Sequence, residues 1–175
     1  MDFSLGAGAW IVRVSAAMPR GLDARRVVID TIGDDASRPA FFALVARAAS
    51  APSLLVVGRS RPDYPPGLHI VAETNTLLVG CGESLAAYDL TAAVRTHLDV
   101  TPYSFRAWAR HDDVVIMCGE LEVAGYDLSG QRLWAATLEP PWNYGVDHAT
   151  MFTIAAGHRT EFPLRSGPDR DAPEG

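Results

Sequence analysis

The second half of the chain alternates short apolar runs with turn-forming residues, a pattern typical of β-strands joined by hairpins. The predicted strands of a first unit span residues 68–72, 77–81, 85–90 and 94–100. Those of a second unit span residues 105–110, 114–118, 121–128 and 132–138. Four short strands in succession indicate an up-and-down antiparallel meander. The central strands of each unit are apolar on both faces, as expected for a sheet that is covered on two sides.

The two units share short sequence elements at a nearly constant spacing. A Cys-Gly-Glu element at 81–83 recurs 37 residues later at 118–120, and a Tyr-Asp-Leu element at 88–90 recurs 38 residues later at 126–128. A weaker third copy lies at 151–157. Self-similarity at a fixed period predicts repeated supersecondary units. On this spacing we interpret the two cysteines as occupying equivalent positions.

A more specific pattern lies at residues 124–134, where an apolar strand ends in Tyr-Asp-Leu, a turn contains Gly130, and the next strand reaches Trp134. This segment resembles the blades of quinoprotein-like (WD/PQQ-type) β-propellers, in which an apolar-Asp element leads through a glycine turn to a tryptophan that docks between blades. The resemblance covers roughly residues 67–157 and implies blade-like meanders. Two to three copies are too few to close a ring of four to eight blades. We expect no cofactor.

The first half of the chain has a different pattern. Residues 9–15 and 26–30 predict an N-terminal strand pair. The segment 34–39 combines acids, a serine and a proline, as at the start of a helix. An apolar helical face then follows in Phe41, Phe42, Leu44, Val45 and Ala48. The expected fold is therefore mainly β, with antiparallel four-stranded blade-like repeats, one N-terminal strand pair and one covering helix that ends before Pro52.

These patterns divide the chain of 175 residues into three parts, which together suit one compact domain. Residues 1–58 hold the N-terminal strands and the helix, and residues 67–165 hold the repeats. Residues 166–175 have the composition of a disordered tail. The proline-rich connector between the first two parts is either a linker or a rigid recognition loop with Tyr64 at its tip.

Composition narrows the function. All 15 basic residues are arginine, so any chemistry that needs a lysine is excluded. The net charge of −6 and the scattered arginines argue against nucleic acid and favour a basic protein partner. Neither a secretory signal nor an apolar run long enough for a membrane helix is present, so we expect a cytoplasmic protein that does not bind membranes.

Histidine and acid concentrate in two places, at His111-Asp112-Asp113 and at Asp147-His148. The histidines lie 37 residues apart, which predicts equivalent turns on one edge of the molecule. Imidazoles and carboxylates together can hold a metal or perform acid–base chemistry. The alternative is that Asp and His simply populate tight turns, and because no known metal-ligand spacing occurs we expect no metal. Glu83 and Glu120 form a second pair, either glycosidase carboxylates or solvated hairpin tips.

The aromatic residues Trp142 and Tyr144 follow a proline pair, and with Tyr64 they are our candidate partner-binding residues. The alternative for Trp142 and Tyr144 is packing between blades, which explains Trp108 and Trp134 better. We therefore expect a non-catalytic protein-binding module, such as a small cytosolic partner or a toxin-neutralising (immunity-type) protein.

A hydrolase that uses the His111/Asp112/Asp113 and Asp147/His148 turns, with His111, Asp112 and His148 as its catalytic residues, is the alternative function. Open sheet edges also predict a homo-oligomer.

Overall fold

The computed structural model describes residues 2–23, 25–34, 37–61, 65–101 and 104–168, and these residues form sixteen strands in four sheets. Sheet I contains β1 (Asp2–Ala7), β2 (Trp10–Ser15), β3 (Val28–Gly33), β4 (Pro39–Arg47) and β5 (Pro52–Arg59). Sheet II contains β6 (Gly67–Val71), β7 (Thr76–Cys81), β8 (Ser84–Asp89) and β9 (Val94–Val100). Sheet III contains β10 (Phe105–His111), β11 (Val114–Gly119), β12 (Glu122–Asp127) and β13 (Arg132–Thr137). Sheet IV contains β14 (Trp142–Asp147), β15 (Thr150–Ala155) and β16 (His158–Pro163).

Sheets II and III are the two antiparallel four-stranded meanders that the sequence predicts. Turn chemistry explains why the strands break where they do. Between β8 and β9, the Asp89 carboxylate accepts the backbone N–H groups of Thr91 and Ala92. Between β12 and β13, Asp127 accepts those of Ser129 and Gln131. In both turns an aspartate side chain replaces backbone partners, which ends one strand and redirects the chain into the next.

The predicted covering helix is wrong: the described residues contain no helix, and residues 39–47 form strand β4. Phe41, Ala43 and Val45 point toward sheet II and are completely buried, while Phe42 and Leu44 point to the opposite face. A strand that is apolar on both faces gives a continuous apolar run, and spacing alone does not distinguish such a run from a helical face.

The N-terminal strand pair is also corrected. Both predicted strands exist, as β2 and β3, but they do not pair, because the order in sheet I is β1-β2-β4-β5-β3. Strands β1, β2, β4 and β5 form an antiparallel meander like those of the later sheets. Strand β3 joins its outer edge parallel to β5. The first half of the chain is therefore a fourth blade-like unit with one added strand.

Consecutive sheets pack face to face. One buried cluster joins sheet I to sheet II through side chains such as Val12, Phe41 and Tyr88. A second joins sheet II to sheet III, and a third joins sheet III to sheet IV around Trp134 and Met151. None of the apolar clusters formed by the described residues joins sheet I to sheet IV, so these two sheets are the ends of the stack.

Two further sequence predictions concern the surface of the fold. Of the predicted tail, only residues 166–168 are described: there the Gly167 N–H donates to the Pro163 carbonyl, and Gly167 lies against the Trp134 side chain. Across the described ranges there is also no helix long and apolar enough to cross a membrane.

Candidate functional site

Two of the predicted partner-binding aromatics lie between sheets III and IV. The Trp142 indole N–H donates to the Glu120 carbonyl at 2.9 Å, and both Trp142 and Tyr144 pack against the cluster that joins the two sheets. Tyr144 contacts His111 edge to face, with 6.1 Å between ring centroids. Burial, and then the neighbouring Cys118 thiol, raise the pKa of Tyr144 to about 12. Half-buried packing between blades thus accounts for both aromatics, and the third candidate, Tyr64, lies outside the described residues.

The side chains of the two histidine–acid turns make separate contacts. Asp113 forms an ion pair with Arg165, while the Asp147 carboxylate and the adjacent His148 ring lie 3.7 Å apart and are largely exposed, His148 to 97%. Asp112 and His148 hold equivalent hairpin positions with φ of +50° and +51°, conformations that Asp tolerates well. Nowhere in the described part of the chain do His, Cys, Asp or Glu side chains form a group able to hold a metal ion. Turn geometry accounts for Asp112 and His148.

The strand register shows that the repeated cysteines are not equivalent. Tyr88 lies opposite Leu77 and Tyr126 opposite Val115, so the structural repeat is 38 residues and Cys118 corresponds to Gly80, not to Cys81. Because a shift of one residue reverses the face of a strand, Cys81 packs toward sheet I and Cys118 toward sheet IV. Burial raises the pKa of both thiols, which disfavours a thiolate nucleophile at either position.

An ionic cluster holds sheet I to sheet II at the outer rim. The buried Tyr88 hydroxyl donates to Asp30 on β3 at 2.9 Å, and Arg95 pairs with the same carboxylate at 3.4 Å. Burial first, and then the carboxylate, raise the pKa of the tyrosine, so its hydroxyl remains a donor.

The same cluster recurs between sheets II and III. There the Tyr126 hydroxyl donates to Asp99 at 3.1 Å, Arg132 pairs with Asp99 at 3.2 Å, and the pKa of Tyr126 is raised for the same reasons. We name both clusters the Asp–Tyr–Arg clusters. Sequence analysis finds the Tyr-Asp-Leu repeat but not this role, because the aspartates lie on the preceding sheet. The clusters fix neighbouring blades to one another.

A cavity of about 330 Å³ lined by the described residues opens between sheets I and II. Its walls carry both charges, from Asp34, Arg59 and Arg61 on one side and Glu83 on the other. The Arg59 guanidinium already donates to the Ser37 carbonyl at 3.0 Å. The other glutamate of the predicted carboxylate pair, Glu120, instead lies 3.7 Å from Arg106 in sheet III. Of the two glutamates, only Glu83 lines this cavity.

The outer face of sheet I, which points away from sheet II, is the second notable surface. Its apolar side chains include Ile11, Leu44 and Ala46, which line a groove of about 180 Å³ together with Arg13. Arg47, the last residue of β4, lies opposite the inward-facing Trp10 by strand register and lines one end of the groove. We call this surface, defined by these five residues, the sheet I groove. Sequence analysis missed it because Leu44 was assigned to a helix. The available signal was the two-sided apolar pattern of β4.

The far half of the same face is already covered. Leu22 and Val27, from the connection between β2 and β3, pack on Leu55 and Val57. This connection takes the place that a neighbouring sheet would occupy on that half. Leu44 packs on the edge of this cluster and also lines the sheet I groove.

Comparison with known proteins supports the fold only. No protein-family model matches the chain, and no curated protein matches it. Among solved structures, BamB from Moraxella catarrhalis matches with a TM-score of 0.51 and 13% identity over 92% of this chain and 45% of BamB. The computationally designed Ika8 protein matches with a TM-score of 0.50 and 12% identity over 94% of this chain and 58% of Ika8.

These neighbours include β-propeller-type proteins with sheets of four antiparallel strands. The sheets of this chain have the arrangement of propeller-type blades. The chain spans about half the length of BamB and of Ika8. At such low identity the likeness extends to the arrangement of the sheets and to nothing further.

Proposed function

We propose that the protein is a non-catalytic protein-binding module whose partner covers the sheet I groove. The observation that carries this proposal is that sheet I has the composition of a sheet with two neighbours but has only one. Strand β4 is apolar on both faces, as in an interior blade, yet a neighbouring sheet packs on only one of them. Apolar surface that remains uncovered and is bordered by charge is typical of protein interaction sites.

The groove also has a charge preference. Arg13 and Arg47 border its apolar floor of Ile11, Leu44 and Ala46. Arginine forms multi-donor hydrogen bonds with carboxylates and is enriched in protein interfaces. The net charge of −6 favours a basic partner over the molecule as a whole, whereas the contact at the groove itself favours carboxylates. The partner surface that fits is therefore apolar at its centre and acidic at its rim.

Both forms of the binding hypothesis, a small cytosolic partner protein and a toxin-neutralising protein, need such a face. No specific contact among the described residues favours the hydrolase, since His111 packs on Tyr144 and Asp113 pairs with Arg165.

The test uses Leu44→Glu as the disrupting variant and Leu98→Glu as its control. Leu98 is 55% exposed on the outer strand β9 of sheet II, so the control makes the same chemical change away from the groove. Each tagged protein is used to capture binding proteins, and a second copy of the chain counts as a binding protein. We expect one partner to bind wild type and Leu98→Glu equally and to lose at least about tenfold in affinity for Leu44→Glu.

Equal binding to all three proteins, or no bound protein at all, would overturn the proposal. Thermal unfolding shows whether Leu44→Glu is folded, and Arg13→Glu, at an exposed position, serves if it is not.

A further inference from the structure

We infer that the occupant of the sheet I groove is sheet IV of a second copy of this chain, so that two copies join head to tail. This inference rests on the proposed function, since it names the partner of the same groove. It follows from the properties of the two ends of the stack.

The outer face of sheet IV, which points away from sheet III, has an apolar centre. The Phe152 ring lies over Gly145 and under the Arg159 guanidinium, whose central carbon is 3.9 Å from the ring centroid. Ile154, two residues along the same strand, is 40% exposed. Carboxylates rim this centre, since Asp147 and Glu161 lie on the same face by strand register. We call these residues, Phe152, Ile154, Asp147 and Glu161, the sheet IV face.

The sheet IV face has the properties that the groove requires. Phe152 and Ile154 match the apolar floor, while Asp147 and Glu161 match Arg13 and Arg47 in charge. Glu161 already pairs with Arg159 at 2.8 Å, but both side chains are more than half exposed. An exposed ion pair contributes little to stability, so Glu161 is able to exchange its partner for an arginine of the groove.

The architecture supplies the matching geometry. Sheet I packs on sheet II, II on III and III on IV, always through facing blade surfaces. Sheet IV of one copy on sheet I of another repeats this relation, and it uses two different surfaces of the same chain. Such heterologous contacts close into a ring if the rotation allows.

Two copies of four sheets give eight blades, within the range of closed propellers. In the closed dimer the contact between groove and sheet IV face therefore occurs twice.

The first experiment measures the mass in solution by sedimentation over a range of concentrations. We expect wild type and Leu98→Glu to reach twice the chain mass of 18.8 kDa. We expect Leu44→Glu in the groove and Ile154→Glu in the sheet IV face to remain monomeric.

The second experiment exchanges charges. The Arg13→Glu/Arg47→Glu variant and the Asp147→Arg/Glu161→Arg variant each place like charges at both contacts of their own dimer, so each should lose at least about tenfold in self-association. When the two variants are mixed, both contacts of the mixed dimer become complementary. The mixture should therefore regain the dimer mass, which simple unfolding of either variant does not produce.

Several outcomes overturn the inference. A wild-type monomer at every soluble concentration does so, as does a dimer that Ile154→Glu leaves intact or a mixture that stays monomeric. Continuous growth in mass would indicate an open filament and overturn the closed ring. If the wild type stays monomeric while another protein binds in a Leu44-dependent way, only this inference fails and the proposed function stands. If nothing binds the groove, both fail.

Discussion

The interface between sheets II and III and the interface between sheets III and IV occupy equivalent places in the stack, but their chemistry differs. The first contains the cluster of Asp99, Tyr126 and Arg132. In the second, strand register places Phe162 where Tyr126 stands and Ala136 where Asp99 stands.

The hydroxyl and the carboxylate are therefore lost together, and Trp134 packs edge to face on Phe162 instead, at 5.4 Å between centroids. Either polar group alone would be poorly paired in a buried interface. The difference shows that the tyrosine and aspartate positions change together: an interface between blades has both polar groups or neither.

The largest effect should come from Trp134→Ala in the apolar interface. Trp134 is 6% exposed and donates its indole N–H to the Leu164 carbonyl at 2.8 Å. Its removal opens a cavity between sheets III and IV, so we expect a loss of about 3–5 kcal/mol in the free energy of unfolding, measured by denaturant titration. Trp134→Phe is the control, because it keeps an aromatic ring and loses the donor, and it should lose clearly less. A loss below about 1 kcal/mol for Trp134→Ala would contradict the role given to this side chain.

The next largest loss of stability should come from a glycine at the interface between sheets II and III, which contains an Asp–Tyr–Arg cluster. Gly130 has φ of +85°, and an added Cβ would lie 2.3 Å from the Ala87 Cβ of sheet II. Because that contact is with a short, fixed side chain, Gly130→Ala should lose about 2–4 kcal/mol through overpacking and backbone strain. Gly157, with φ of +83° and open space around it, is the matched control and should lose only about 1–2 kcal/mol. Equal losses at the two positions would show that the contact between sheets II and III is not close.

Exchanging tyrosine and phenylalanine at the equivalent positions of the two interfaces tests their difference directly. Tyr126→Phe removes a donor to Asp99, which Arg132 still pairs, so we expect a loss of about 0.5–1.5 kcal/mol. Phe162→Tyr places a hydroxyl beside Ala136 without a carboxylate partner, and it should lose about 1–3 kcal/mol.

Tyr88→Phe is a second reference for this exchange, since the first Asp–Tyr–Arg cluster has the same contacts. Its loss in thermal or denaturant unfolding should agree with that of Tyr126→Phe. If Phe162→Tyr did not change the free energy of unfolding, an unpaired hydroxyl would not explain why the tyrosine and the aspartate are replaced together.

The smallest effect concerns the buried acid beside the second cluster. Glu122 is 6% exposed, and burial raises its pKa. A carboxyl whose pKa is higher in the folded state stabilises the fold below its unfolded pKa and loses that contribution as pH rises through the folded pKa. Glu122→Gln should therefore raise the melting temperature relative to wild type at pH 7, and the difference should shrink toward pH 4. The exposed Glu139→Gln is the control, and a gain that does not depend on pH would argue against this cause.

The comparison also shows how far the sequence predicts the fold. The strands of sheets II and III lie where the turn residues place them, because hairpins bounded by Asp, Gly and Asn are encoded locally. The packing of Trp108 and Trp134 between blades is also confirmed: the Trp108 indole N–H donates to the Gly67 carbonyl of sheet II at 3.3 Å, and Trp134 packs on the Phe162 ring of sheet IV.

Residues 39–47 are the counterexample, since the acids that precede them and the proline that begins them are typical of a helix start. Their spacing fits a helix only because the two faces of β4 are both apolar. The sheet I groove could not be predicted for the same reason.

The sequence by itself determined the strands and turns of sheets II and III and the repeat of about 38 residues between them, because each depends on local conformational preference and a period of two. Only the tertiary structure decided which residues are equivalent and which surface each one faces. A slip of one residue reverses a strand's face, so Cys81 and Cys118 match in sequence and yet point to opposite neighbours. Pairing of Asp30 with Tyr88 and of Asp99 with Tyr126 likewise exists only once one sheet packs on the next. Strands that are apolar on both faces require neighbours, but their composition does not specify which surfaces meet.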